Sequence, residues 1–255
     1  MMLSQPIFLE HRRRRGLWLQ YECRTETRRQ HSAAAGTLGR MVGKRPRKKT
    51  ERRLEMLRLT KSCSDVGPDR SSTERLSCDA AELHVNGRRT EYPERANPLH
   101  LFRTTRMLPR GEILESSGDA EDLLYGEFPE RTVTPGESWA LKRLVSVPVY
   151  DESGAAIDCT EVLSTFEYQL VEVVEREGRR CAHVLLQQSH VLPPEPGRLG
   201  RSYQRETHFL FDIRQGLMVR SESKIVDRRF SASFSIEDEV KQEVNLIGTE
   251  DQPVL

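Results

Sequence analysis

The sequence contains no apolar run long enough to cross a membrane as a helix, which needs roughly 18 or more consecutive apolar residues. Aromatic residues make up only 6% of the 255 residues, and hydrophobic residues make up 36% against 31% charged residues. This composition is lean for a thick, multilayered core, and it favours a thin β-sheet with one face in water. We therefore expect a chain without transmembrane segments whose stability depends on a broad sheet.

Recognisable metal-binding and redox motifs are missing as well. The five cysteines show no C-x-x-C spacing, so neither a zinc knuckle nor a dithiol centre is indicated. The two histidines closest in sequence, His183 and His190, are separated by an odd interval, which puts them on opposite faces of a regular strand. No metal site and no cofactor are predicted.

The usual signatures of catalysis are also absent from the sequence, which has no G-x-S-x-G nucleophile elbow and no H-E-x-x-H motif. Residues 36–44 are rich in glycine, as a phosphate-binding loop is. They do not fit that motif, because Leu38 stands where it needs glycine and Arg45 stands where it needs serine or threonine. We therefore expect a protein without enzymatic activity. The alternative is a hydrolase whose site is assembled at one end of the sheet from distant strands.

The clearest positive signal is a period of two that runs through residues 232–246. Its apolar residues alternate with polar and charged ones, and only a half-buried β-strand places two such sets on opposite faces. The apolar set is Ala232, Phe234, Ile236, Val240, Val244 and Leu246. Similar alternation predicts further strands at residues 17–27, 138–150, 162–175, 180–191, 202–213 and 217–228.

These strands predict an antiparallel fold, because the turns between them are too short for the crossovers that parallel strands require. Asn86-Gly87 predicts one tight hairpin turn, and Pro109-Arg110-Gly111 predicts another. We expect a mainly β protein: one large curved antiparallel sheet, a half-barrel or clam, of about ten strands with one or two short helices. Residues 119–125 are the predicted helix.

Charge is distributed unevenly along the chain. Residues 1–61 carry 17 Lys or Arg and 5 acidic residues, whereas the remaining residues carry 23 and 34. We expect a basic, disordered leader at residues 1–15, followed by a single antiparallel β domain at residues 16–255. Within this domain the sequence predicts a mobile basic loop at about residues 29–50.

The basic loop is the predicted place of contact with an anion. Its clustered cations are Lys44, Arg45, Arg47, Lys48 and Lys49. Such clusters attract phosphate-bearing surfaces, but this one has no aromatic residue on which bases could stack. An anionic membrane surface is therefore a better candidate partner than nucleic acid, and a solvated loop without a partner ranks ahead of both.

The apolar face of the predicted sheet is the predicted ligand-binding site. Its candidate residues are Phe166, Tyr168, Phe209, Phe211, Phe234 and Ile236. The ordinary role of such side chains is to pack in a core. A curved sheet with few helices would instead leave them lining a trough suited to an acyl chain, a lipidated peptide or a partner protein.

Residues 128–139, Phe-Pro-Glu-Arg-Thr-Val-Thr-Pro-Gly-Glu-Ser-Trp, carry a family resemblance together with residues 109–115 and the hairpin at residues 211–217. This pattern, within roughly residues 83–248, resembles a group of bacterial envelope proteins related in architecture to lipoprotein-carrier half-barrels of the LolA/LppX type. The resemblance implies a half-barrel fold and a location in the periplasm or cell envelope, and it transfers no catalytic residue. The sequence begins without a recognisable signal peptide, which by itself predicts the cytoplasm.

The leading hypothesis is a non-enzymatic β domain that binds an apolar ligand or a protein partner on the concave face of its sheet. The second hypothesis is the hydrolase with a site at one end of the sheet. The third is an interaction protein that docks on anionic surfaces through its basic loop.

Overall fold

A single large β-sheet dominates the computed structural model, which describes residues 5–33, 48–117, 126–232 and 234–251. Twelve strands lie within these ranges. They are β1 (Leu17–Ala33), β2 (Lys48–Val66), β3 (Ser72–Val85), β4 (Arg88–Thr90), β5 (Phe102–Met107), β6 (Ile113–Ser117), β7 (Ser138–Tyr150), β8 (Ala156–Arg176), β9 (Arg179–Leu192), β10 (Gly200–Asp212), β11 (Leu217–Phe230) and β12 (Phe234–Asp251).

Two short 3₁₀ helices, Glu94–Ala96 and Pro98–His100, connect β4 to β5. Neither has the length or the apolar character that a membrane-spanning helix requires, and the same holds for every helix in the described part of the chain. The helix predicted at residues 119–125 lies outside the described residues.

The strands are ordered β6-β5-β3-β2-β1-β12-β11-β10-β9-β8-β7, and β4 pairs with β3 beside this path. All pairs are antiparallel, and β1 lies next to β12, so the first and last described strands meet near the middle of the sheet. Because β6 and β7 are its edges, the sheet is open. The predicted mainly β fold with one large antiparallel sheet is confirmed, with twelve described strands where about ten were expected.

The alternation predicted for β12 is present in the structure. Ile236 and Val244 are buried on the same face of the strand, which is the concave face of the sheet. Asp238 lies on this face too, and Arg29 of β1 donates to its two carboxylate oxygens at 2.7 and 2.9 Å. The concave face therefore holds paired charges as well as apolar side chains.

The Asn86-Gly87 turn joins β3 to β4 as the sequence predicts. Both residues have positive φ, 52° and 81°, which is the conformation of a type I′ turn.

We expect Gly87→Ala to lower the free energy of unfolding by roughly 1–2 kcal/mol, because an alanine at this φ is strained although the space around it is open. Urea denaturation measures the loss. Gly87→Asn is the control and should lose less, because asparagine tolerates left-handed φ; an equal loss for both variants would contradict the backbone explanation.

Residues 5–16 form an extended segment, here called the N-terminal strap, on the concave side of the sheet. Ile7 exchanges two backbone hydrogen bonds with Val133, at 2.9 and 2.8 Å. Leu9 and His11 are buried. Ile7, Leu9 and His11 are thus packed, because every second side chain of the strap fills space that the curved sheet leaves. This differs from the disordered leader predicted at residues 1–15.

The main core lies between the concave face of the sheet and two covering segments, the N-terminal strap and residues 126–137. The second segment connects both sheet edges: the amide of Phe128 donates to Arg110 O beside β6 at 2.8 Å, and the indole of Trp139 on β7 donates to Glu127 O at 3.0 Å. The buried core side chains of the strands include Leu19, Tyr21, Leu59, Tyr168, Leu170, Val184, Phe209, Phe211 and Val244.

Candidate ligand-binding cavity on the concave face

A cavity of about 620 Å³ lies on the concave face beside the core. The cavity exists because the sheet is curved: Arg103 of β5 and Tyr203 of β10 line the same space although five strands lie between them in the sheet order. Tyr168 and Leu186 belong both to the cavity wall and to the core. The apolar part of the wall is formed by Val145, Val147, Phe166, Tyr168 and Leu186.

The other part of the wall is polar, and its register on the sheet is well defined. Arg201, Tyr203 and Arg205 alternate along β10, so all three side chains face the cavity. Tyr203 lies opposite His190 of β9 and Asp227 of β11. Strand pairing therefore gathers cationic, acidic and aromatic side chains from three neighbouring strands at one place.

Two of the cavity's arginines are held by carboxylates. Arg201 donates to both carboxylate oxygens of Asp227, at 2.8 and 3.0 Å, a bidentate geometry that fixes the guanidinium plane. Arg143 of β7 donates to Glu127. The Arg201–Asp227 pair is largely buried, whereas Arg143 is a third exposed and Glu127 is largely buried. In both pairs the carboxylate mostly cancels the charge of its own arginine.

Arg205 is different, because no carboxylate in the described part of the chain lies within ion-pair distance of it. Its guanidinium makes one hydrogen bond, from Nε to Thr207 Oγ1 at 3.0 Å. The side chain is half-buried and borders the cavity. A guanidinium has five N–H donors, so most of the hydrogen-bonding capacity of Arg205 faces the cavity or solvent.

His190 also borders the cavity and stacks on Tyr203, with ring centroids 4.8 Å apart and planes inclined by 12°. Both ring nitrogens are buried, and neither has a hydrogen-bond partner among the described residues. Burial lowers the pKa of His190, and the nearby Arg201 lowers it further, so the ring is neutral at physiological pH. A neutral imidazole leaves one donor and one acceptor available here.

The sequence-predicted ligand residues are distributed over three places on the concave face. Phe166 and Tyr168 line the cavity. Phe209 and Phe211 lie in the core under Phe128, whose ring centroid is 6.4 Å from that of Phe209 and 4.6 Å from that of Phe211. Phe234 and Ile236, near the start of β12, are half-buried and buried, respectively, and neither borders the cavity.

Three of the residues predicted to contact anions, Lys44, Arg45 and Arg47, lie outside the described residues. Lys48 begins β2, and Lys49 follows it with an exposed side chain opposite His31 of β1. A role of these five cations in binding an anionic surface stays a prediction.

The polar wall of the cavity is not among the sites predicted from the sequence, although part of its pattern is present there. Arg201 and Arg205 are separated from Phe209 and Phe211 by even intervals, so the alternation of β10 alone places all four on one face. The positions of Arg143 and His190 beside them depend on how β7 and β9 pair, which single-strand patterns do not determine.

The convex face carries a second group of titratable side chains. His183 Nε2 lies 3.0 Å from His208 Nδ1, and Glu172 lies 3.3 Å from His183 Nδ1. His183 and His190 are on opposite faces of β9, as the odd interval between them predicts. Within the described ranges, no three His, Cys, Asp or Glu side chains are arranged to hold a metal ion.

Together, fold and cavity define an open, curved antiparallel β-sheet that surrounds a partly apolar and partly cationic cavity. No protein-family model matches the chain, and no curated protein matches it in sequence. The solved structures that it resembles include one described as "lipid-protein interactions in lipovitellin", with 8% sequence identity and a TM-score of 0.47. That similarity covers 95% of this chain, which spans only 26% of the other chain.

Proposed function

We propose that this protein binds an apolar ligand, such as an acyl chain, in the cavity on its concave face and catalyses no reaction on it. The observation that carries this proposal is a cavity of about 620 Å³ with an apolar wall that continues into the core. Ligand pockets commonly have volumes of roughly 300–1,000 Å³, so the space suits a single small amphiphile. The resemblance to envelope half-barrels is consistent with such a role and stays a prediction.

A neutral fluorescent naphthylamine dye tests this proposal, because such a dye reports apolar cavities without needing an ionic contact. We expect saturable binding that palmitate displaces. Phe166→Asp should weaken dye binding at least about tenfold, because it places an ionised carboxylate on the apolar wall.

Phe102→Asp is the matched control, since Phe102 is 63% exposed and is not part of the cavity wall. It should leave the affinity for the dye unchanged. Absence of saturable dye binding to the native protein, or equal weakening by both variants, would overturn the proposal.

The hydrolase is the alternative, and His190 is its candidate base because it is neutral and borders the cavity. A nucleophile activated by such a base lies within hydrogen-bonding reach of it. Among the described residues, no serine or cysteine forms a hydrogen bond with His190. Ligand binding therefore ranks ahead of hydrolysis.

A further inference from the structure

The cavity wall carries more positive than negative charge. Arg103, Arg143, Arg201 and Arg205 border it, and the carboxylates on the wall are Glu127 and Asp227. Glu127 and Asp227 balance Arg143 and Arg201, Arg103 is engaged in an interaction of its own, and His190 is neutral. Arg205 therefore adds a positive charge that no carboxylate among the described residues balances, in a space partly shielded from water. Shielding strengthens the interaction of these charges with an anion that enters the cavity.

Arg205 and His190 are wall residues with side-chain nitrogens that have no hydrogen-bond partner among the described residues. Arg205 lies opposite Gln188 in the pairing of β10 with β9, and His190 is two residues further along β9 on the same face. Such diagonal neighbours are roughly 7–8 Å apart at the backbone, so side chains of this length can converge on one small group. A buried imidazole without partners costs free energy, which a bound hydrogen-bonding group would recover.

We propose that the ligand is an anionic amphiphile, whose oxyanion headgroup is bound by Arg205 and His190 while its acyl chain lies against Phe166 and Tyr168. This inference rests on the proposed function and adds the charge of the ligand to it. A guanidinium fork matches the oxygens of a carboxylate or a phosphate, and the imidazole supplies a further N–H donor. The two headgroups share this chemistry.

The experiment compares three ligands with the same saturated chain: palmitate, hexadecyl phosphate and hexadecanol. Native protein should bind at least one of the two anions at least about tenfold more tightly than hexadecanol, as measured by displacement of the neutral dye. The anion that shows the larger preference identifies the headgroup. Equal affinity for hexadecanol and both anions would overturn the headgroup assignment and leave apolar binding intact.

Arg205→Gln should abolish the preference for the anion, measured as the ratio of its affinity to that of hexadecanol, while it retains saturable binding of the dye, which shows that the variant is folded. Arg24→Gln is the matched control, because Arg24 lies on β1 with a side chain 58% exposed and is not part of the cavity wall. It should keep the full preference. A preference retained by Arg205→Gln would overturn the role of Arg205, whereas failure of all ligands and the dye to bind native protein would instead overturn the proposed function.

Discussion

Glu74→Gln is expected to lower the free energy of unfolding by about 3–5 kcal/mol, because it leaves two cations buried without their counter-charge. Glu74 lies on β3 with its side chain 1% exposed. Lys61 of β2, which is equally buried, places its Nζ 2.6 Å from Glu74 Oε2. Arg13 of the N-terminal strap donates to Glu74 Oε1.

Urea denaturation at neutral pH measures this loss. Glu26→Gln is the matched control, since Glu26 pairs with Arg24 on the surface and both side chains are more than half exposed. Exposed pairs of this kind contribute about 0–1 kcal/mol. A loss for Glu74→Gln no larger than that of Glu26→Gln would show that the buried cations are solvated or paired in another way.

The same cluster explains why the strap is packed although its sequence is basic. Arg13 donates to Glu74 and, from Nη1, to Gly216 O at 2.8 Å, so its charge is neutralised inside the fold. Paired cations lower the pKa of Glu74 to about 2 although its burial opposes this shift. Acid therefore removes the stabilisation due to Glu74 as the pH falls from its unfolded pKa of 4.5 to about 2.

Single-strand patterns predicted much of this fold. The alternation in β12 and the positive-φ turn at Asn86-Gly87 are local features, and each one specifies a strand or a turn without reference to distant residues. The positive charge of residues 1–15 led to the prediction of a disordered leader, which differs from the structure of residues 5–15. Arg13 in this segment forms an ion pair with Glu74, which is 61 positions away in the sequence. A pairing over that distance depends on tertiary structure and has no local signature.

In the candidate site, too, local strand patterns predicted which face a residue lies on, but not its long-range contacts. The positions of Phe166 and Tyr168 on the concave face follow from alternation, and both border the cavity. Phe209 and Phe211 share that face, but Phe128 from the segment between the sheet edges covers them. An inward-facing residue can border the cavity or pack in the core, and which of the two it does depends on long-range packing. The alternation of a single strand does not predict this packing.

His11 should make the stability of the protein fall as the medium becomes mildly acidic. Burial, together with the positive charge of Arg13, lowers the pKa of His11 to about 3. Its Nε2–H donates to Gly126 O at 2.9 Å, and its Nδ1 accepts from Arg13 at 3.3 Å. Carbonyl oxygen can only accept and guanidinium can only donate, so the ring is held as the neutral tautomer with its proton on Nε2.

The sign of the effect follows from the pKa of His11, which is 6.5 in the unfolded chain and about 3 in the folded chain. Between about pH 6.5 and pH 3 the unfolded chain binds a proton at His11 that the folded chain does not, so the free energy of unfolding falls as the pH falls through this interval. The loss due to His11 amounts to about 2 kcal/mol between pH 7 and pH 5, and to about 4 kcal/mol by pH 3. Glu74 contributes mainly below its unfolded pKa of 4.5, so it adds little to the loss between pH 7 and pH 5.

Urea denaturation of native protein and of His11→Gln at about pH 7 and pH 5 measures the difference. Glutamine has an N–H that can donate to Gly126 O, but it does not titrate, so the variant should lose about 2 kcal/mol less than the native protein over this range. His190, whose pKa burial also lowers, is present in both proteins and cancels in the comparison. Equal losses in the two proteins would show that His11 becomes protonated within the folded state, and hence that the strap opens to water before the sheet unfolds.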